Sequence, residues 1–152
     1  VGPEQVQELG TEILAKGPDI TSLERWTETG RPSGLVITFS SGARLWTGVT
    51  TAGATASEPS AAASAVPPLP ALFDNAGKIT AARAEQYLAA VFMAAHAPEI
   101  TSAYGYSSSS SARHPGVGLY LAGGARAFLP FVYTAAPGKR PAARAFTIDA
   151  AF

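Results

Sequence analysis

Residues 15–22 read Ala-Lys-Gly-Pro-Asp-Ile-Thr-Ser, and residues 95–102 read Ala-His-Ala-Pro-Glu-Ile-Thr-Ser. The order Pro, acid, Ile, Thr, Ser thus returns after 80 residues. A second match follows at an offset of 82, with Gly34, Gly42, Ala43, Arg44 and Trp46 against Gly116, Gly124, Ala125, Arg126 and Phe128. Two copies of one supersecondary unit explain this more simply than chance does.

Working outward from the two copies, the segment before each has helical periodicity. Pro3 opens the first helix, where a missing N–H costs nothing, and Val6, Leu9, Ile13 and Leu14 fall on one face until Gly17 and Pro18 stop it. Thr80 caps the second, with Leu88, Val91, Phe92 and Ala95 at spacings of three and four and Pro98 near its end. Thr21 and Glu24 have the spacing of a capping box, which predicts a short helical turn from Thr21 to about Trp26.

The segments after the copies alternate in the manner of strands. Leu35, Ile37 and Phe39 lead into a turn at Ser40, Ser41 and Gly42, and Arg44 to Thr50 returns as the second strand of a hairpin. Val117, Leu119 and Leu121 lead into Ala122, Gly123 and Gly124, and Ala127, Leu129 and Phe131 form the return strand. Pro130 lacks a donor, so that strand lies at an edge or carries a bulge. A slip inside the return strand is expected as well, because Val49, Thr51 and Ala52 match Val132, Thr134 and Ala135 at an offset of 83. Phe146, Ile148 and Phe152 alternate with polar neighbours and predict a last strand with no counterpart in the first unit.

Thr50 to Pro70 is rich in Ala, Ser, Thr, Gly and Pro and reads as a linker or a draped loop; Ser107 to Ser111 is a second biased tract. The predicted architecture is an α+β single domain over 1–152. It is an internally duplicated α-β-β unit forming a two-layer antiparallel sheet with two helices on one face. Repeat one covers 1–52, the Ala/Ser/Pro-rich linker 53–79 and repeat two 80–152.

At 152 residues the chain can bury a core without staples, and it contains no cysteine, which removes disulfides, thiolate metal sites and thiol chemistry. The longest apolar stretch, Leu88 to Ala97, falls far short of the ~20 residues a bilayer needs. No basic and apolar leader follows Val1, and the chain reads as soluble. Net charge is zero but divided: residues 1–76 carry 4 basic and 8 acidic side chains, residues 77–152 carry 7 and 3. Such a dipolar body can associate head to tail with its own copies.

No catalytic set emerges. There are 2 histidines, His96 at the end of the second helix and His114 before Pro115, and neither sits among metal-ligand spacings. No nucleophile elbow, phosphate loop or dinucleotide fingerprint is present, and no cofactor is implied. The pair that carries a surface function is Arg44 with Trp46, repeated as Arg126 with Phe128. Residues two apart in a strand share a face, and Thr38 and Tyr120 are placed opposite them. If that face is open, the two arginines and the rings of Trp46, Tyr120 and Phe128 form a platform for a protein partner or for stacked bases, extended by Lys139, Arg140 and Arg144. If it is closed, Trp46 and Phe128 are core and the arginines snorkel. These readings predict a non-enzymatic structural or protein–protein assembly module that self-associates or binds another protein, with a nucleic-acid-binding module as the alternative.

Overall fold

A proline with no N–H to lose and a run of good helix formers start the chain, and helix α1 spans Pro3–Leu14 in the structure, a computed structural model describing residues 2–30, 33–53, 68–108 and 114–152. The Gly2 N–H donates to Gln5 Oε1 at 3.0 Å, closing the N-terminal turn. The helix buries Val6, Gln7, Gly10, Ile13 and Leu14, the stripe its spacing predicts with Leu9 at its half-buried margin. Helix α2, Ala81–Ala94, starts where Thr80 accepts a hydrogen bond from the Arg83 N–H at 3.2 Å. It ends as His96 enters the left-handed region at φ 51°.

Seven strands form one curled antiparallel sheet: β1 Ile20–Arg25, β2 Gly34–Phe39, β3 Arg44–Gly48, β4 Thr50–Ala52, β5 Ile100–Gly105, β6 Gly116–Leu121 and β7 Arg126–Ala135. Their order is β1-β2-β3-β7-β6-β5, and β4 also pairs with β7. Each half of the chain therefore runs from an outer strand inward, and the halves meet where β3 and β4 lie along β7. The two predicted hairpins are the β2–β3 and β6–β7 pairs, with Gly42 (φ 93°) turning the first and Gly123 and Gly124 (φ 84° and 88°) the second.

Three departures from the sequence reading are seen, alongside one expectation at Pro130 that is met. Residues Thr21 to Arg25 form strand β1 and no helical turn: Ser22 to Arg25 pair with Leu35 to Thr38 of β2, and Thr21, at a register shift, donates from Oγ1 to the Thr38 carbonyl at 3.2 Å instead of capping. Its counterpart β5, built on the repeated Ile-Thr-Ser, is a strand that alternation alone does not disclose. Of the two alternatives for Pro130, an edge or a bulge, the structure has the bulge: Pro130 lies in the central strand β7, two residues before the extra residue Val132. Phe131 N–H donates toward the β6 side, to Pro115, so Pro130 turns toward the junction of β3 and β4, where the ladder breaks and no donor is missed. The ladder is irregular there, with Trp46 opposite Tyr133 and Thr47 opposite Phe131, leaving Val132 as the extra residue of a bulge. The last segment is no strand: Tyr133 to Thr147 and Thr80 to Ala151 are single bridges, and Phe152 exchanges hydrogen bonds of 2.9 and 2.8 Å with Ile79.

One hydrophobic cluster joins both halves. Leu35, Ile37, Phe39, Leu45, Val117, Leu119, Leu121, Ala127, Leu129 and Phe131 from the strands pack with Val6, Ile13 and Leu14 of α1 and Tyr87, Leu88 and Phe92 of α2. Leu72 and Ile79, from the stretch read as linker, and Phe152 join it at 2%, 0% and 2% exposure. The described part of that stretch therefore contributes to the core; the Ala/Ser-rich remainder and Ser109–Ser111 of the serine tract lie outside the described residues. No described helix is long and apolar enough to cross a membrane.

Candidate functional site

Strand alternation sends one set of side chains into the core and leaves the other set on the opposite sheet face. That second set contains Arg44 and Trp46 on β3, Tyr120 on β6, and Arg126, Phe128 and Tyr133 on β7, all half-buried. Thr38 stands directly opposite Arg44 and Tyr120 directly opposite Arg126, the neighbours that the hairpin spacing suggests. Trp46 and Phe128 are thus not core residues, since the core is built from the intervening positions Leu45, Thr47, Ala127 and Leu129.

Two aromatic groups occupy this face, each with one arginine. In the first, the Arg44 guanidinium lies 4.8 Å from the Trp46 ring, and Tyr133 meets Trp46 edge-on at 6.3 Å and Trp26 at 6.0 Å. Trp26 Nε1 donates to the Thr47 carbonyl at 3.1 Å, and the Tyr133 hydroxyl donates to the Glu28 carboxylate at 3.0 Å. In the second, the Arg126 guanidinium stands 4.8 Å from the Tyr120 ring, 5.2 Å from Phe128 and 5.9 Å from Tyr104, and its Nη2 donates to the Tyr104 hydroxyl at 2.6 Å. Tyr104 stacks toward Tyr120 at 5.4 Å and Tyr106 at 6.2 Å.

Glycines make the close stacking possible. A Cβ at Gly118 would lie 2.2 Å from the Tyr104 ring, one at Gly116 2.4 Å from Tyr106, and one at Gly34 2.6 Å from Trp26 Nε1. The rings therefore lie flat across bare backbone of the neighbouring strand. Burial among these groups raises the Tyr106 pKa well above the ordinary tyrosine value, with Tyr104 and Glu85 adding to the effect against Arg126.

Beneath the second group, on the α2 side, Glu85 is 1% exposed; its carboxylate accepts from the Gly116 N–H at 2.8 Å and from the Ser107 N–H at 3.3 Å. Gln7, 5% exposed on α1, donates to the Gly34 carbonyl at 2.7 Å. Both halves thus fasten a helix to the first glycine of their second strand by a buried polar side chain.

Of the basic residues, Lys139 and Arg140 are exposed on a turn after β7. Arg44 Nη2 donates to the Lys139 carbonyl at 2.9 Å, which joins that turn to the first aromatic group, while Arg126 lies with the second group. Arg144 is exposed further along the chain. Sequence reasoning missed Trp26, Tyr104, Tyr106 and Tyr133. Tyr104 belongs to β5, whereas Tyr106 opens a short 3-10 turn, Tyr106–Ser108, directly after it, and that turn brings its ring to 6.2 Å from Tyr104. His114 rests edge-on against Phe146 at 5.1 Å, with its Nε2 bonded to the Phe131 carbonyl, and Asp149 binds Thr134 Oγ1 at 3.3 Å. Among the described residues no three His, Asp or Glu side chains gather as a metal site.

Compared with family models, curated proteins and solved structures, the chain matches none.

Proposed function

We propose that this protein is a non-enzymatic assembly module that self-associates, with the arginine and aromatic sheet face as its adhesive surface. The observation that carries this reading is the pair of ring groups left half-exposed opposite the core face, each with an arginine stacked on it. Rings held rigid over glycine lose little conformational freedom on docking, and Trp, Tyr and Arg are the side chains that dominate interface energies.

The same proposal includes an internally duplicated, two-layer body with pseudo-twofold symmetry. The register of the central strands supports it. Arg44 pairs with Ala135 and Ala52 with Arg126; Leu45 pairs with Thr134 and Thr51 with Ala127; Trp46 pairs with Tyr133 and Thr50 with Phe128. Under the sequence offsets of 82 and 83, the first member of each set maps onto the second, and the two irregularities, at Val49 and Val132, map onto each other.

The test is absolute mass by light scattering after size exclusion, across concentration and at low and high salt. An oligomer that persists in high salt and is lost in the Trp46→Ala, Phe128→Ala double variant supports the face as its interface. A monomer at every concentration overturns it. A nucleic-acid-binding reading rests on the same rings and on the nearby Lys139 and Arg140. It is the second choice because both guanidinium groups are turned onto rings and onto oxygens of their own chain. A shift of labelled single-stranded DNA at low salt, abolished by Arg44→Ala with Arg126→Ala, would promote it.

A further inference from the structure

The acidic and basic halves of the chain end in two surfaces of matching chemistry. Along α1 the exposed carboxylates Glu4, Glu8 and Glu12 follow one another at intervals of four, a like-charge stripe that the helix itself does not favour. Beside it runs a groove of about 410 Å³ with an apolar floor of Val6, Leu9 and Leu121 and a rim of Glu8, Glu12 and Glu99. The basic counterpart is the turn after β7. Gly138 takes φ 73°, the Lys139 N–H donates to the Ala136 carbonyl at 2.9 Å, and Arg44 holds the Lys139 carbonyl. Lys139 and Arg140 thus project from a backbone already fixed, next to the small apolar side chains of Pro141 and Ala142.

The two surfaces lie at opposite ends of the sheet. Leu121 closes β6 beside the start of β7, whereas the basic turn follows the far end of β7, whose 10 residues span roughly 30 Å. One molecule cannot bring its own turn to its own groove.

We infer that the groove receives the Lys139–Arg140 turn of a second copy, in a head-to-tail contact that leaves a free groove at one end of the pair and a free turn at the other. The Pro141 ring and the Ala142 methyl cover the Leu9 floor, and the two cations meet the carboxylates of the rim. Identical unsatisfied ends make the contact heterologous, so it closes into a ring or continues as a chain. The inference rests on the self-association reading above but uses a different surface, and its electrostatic core makes it sensitive to salt.

Sedimentation velocity on the full chain separates the two. Glu8→Gln with Glu12→Gln, and separately Lys139→Ala with Arg140→Ala, are each expected to weaken low-salt association by about tenfold. Mixing the two variants, each also carrying Trp46→Ala and Phe128→Ala so that the sheet face is silent, is expected to give a 1:1 dimer that grows no further, because each contributes one intact groove or turn. Association unchanged in both variants, or a mixture no different from its components, overturns the inference. If that happens while Trp46→Ala with Phe128→Ala still dissociates the oligomer, the sheet-face reading stands alone. If the groove and turn variants dissociate it and the face variant does not, the face reading falls and this one stands. A monomer in every condition overturns both.

Discussion

At the scale of single residues, Tyr106 shows how closely this face is packed. Its ring covers Gly116, and its hydroxyl titrates among Tyr104, Glu85 and Arg126 in a site that disfavours the phenolate. The unfolded chain ionises near the ordinary tyrosine value of about 10, whereas the folded chain holds the proton to higher pH. The stabilisation is thus complete below about pH 10 and is lost as pH rises toward the raised folded value. Urea midpoints are expected to fall above pH 10 in the natural protein, with Tyr106→Phe flattening that decline while keeping the ring. An equal alkaline slope in both proteins would assign the loss to other groups. No sequence pattern discloses this tyrosine, which stands in the short turn after β5 and carries no motif. Arg44, Trp46, Arg126 and Phe128 are more legible because each pair follows a clear turn in a strand of regular alternation.

Among the elements, the helices and both hairpins are readable because their core positions follow the periods of 3.6 and 2 up to the irregularities at Val49 and Val132. The outer strands are not. Strand β1 has the burial pattern of one buried residue followed by mostly exposed ones, and its Thr21 and Glu24 imitate a helix cap, so local chemistry and tertiary pairing point in different directions. The pairing wins because β2 offers a continuous ladder from Ser22 to Arg25. Phe146, Ile148 and Phe152 fail in the opposite sense: they alternate like a strand, yet the bridges at Thr147 and Ala151 are isolated. Neither sequence pattern discloses the fastening of helix to sheet, which lies in Gln7 and Glu85. Gln7 donates a hydrogen bond to a carbonyl, and Glu85 accepts hydrogen bonds from two N–H groups. Exchanging their chemistries should be costly despite the nearly equal volumes. In Glu85→Gln, an amide group faces backbone donors; in Gln7→Glu, a carboxylate faces a carbonyl oxygen. Each variant is expected to lose about 1–3 kcal/mol, read from the urea midpoint at an unchanged m-value. A loss within a few tenths of a kcal/mol for either would mean that water or a shifted rotamer replaces the bond.

For the whole molecule, the decisive seam is the long contact of β3 and β4 with β7, which joins the outer-to-inner runs of the two halves into one sheet. The core cluster crosses it, with Leu45 and Ile37 of the first half in the same packing as Leu129 and Phe131 of the second. Neither half buries its central strand without the other, and a unit of that size supplies little stability by itself. A chain cut once between residues 53 and 68 is therefore expected to remain one folded body, because the seam and not the peptide bond holds the halves. The cut changes the thermodynamics in a specific way. Unfolding then releases two chains from one, so the midpoint should rise with protein concentration, whereas that of a monomeric intact chain should not. A site-specific protease sequence inserted in this interval, followed by denaturation at several concentrations below those of any oligomer, measures the effect. Halves that separate by size exclusion after cutting, each with native circular dichroism, would show two independent domains and remove the basis for a shared sheet. Halves that stay together, with a concentration-dependent midpoint, would place most of the fold's cooperativity in the β3, β4 and β7 ladder and the core beneath it.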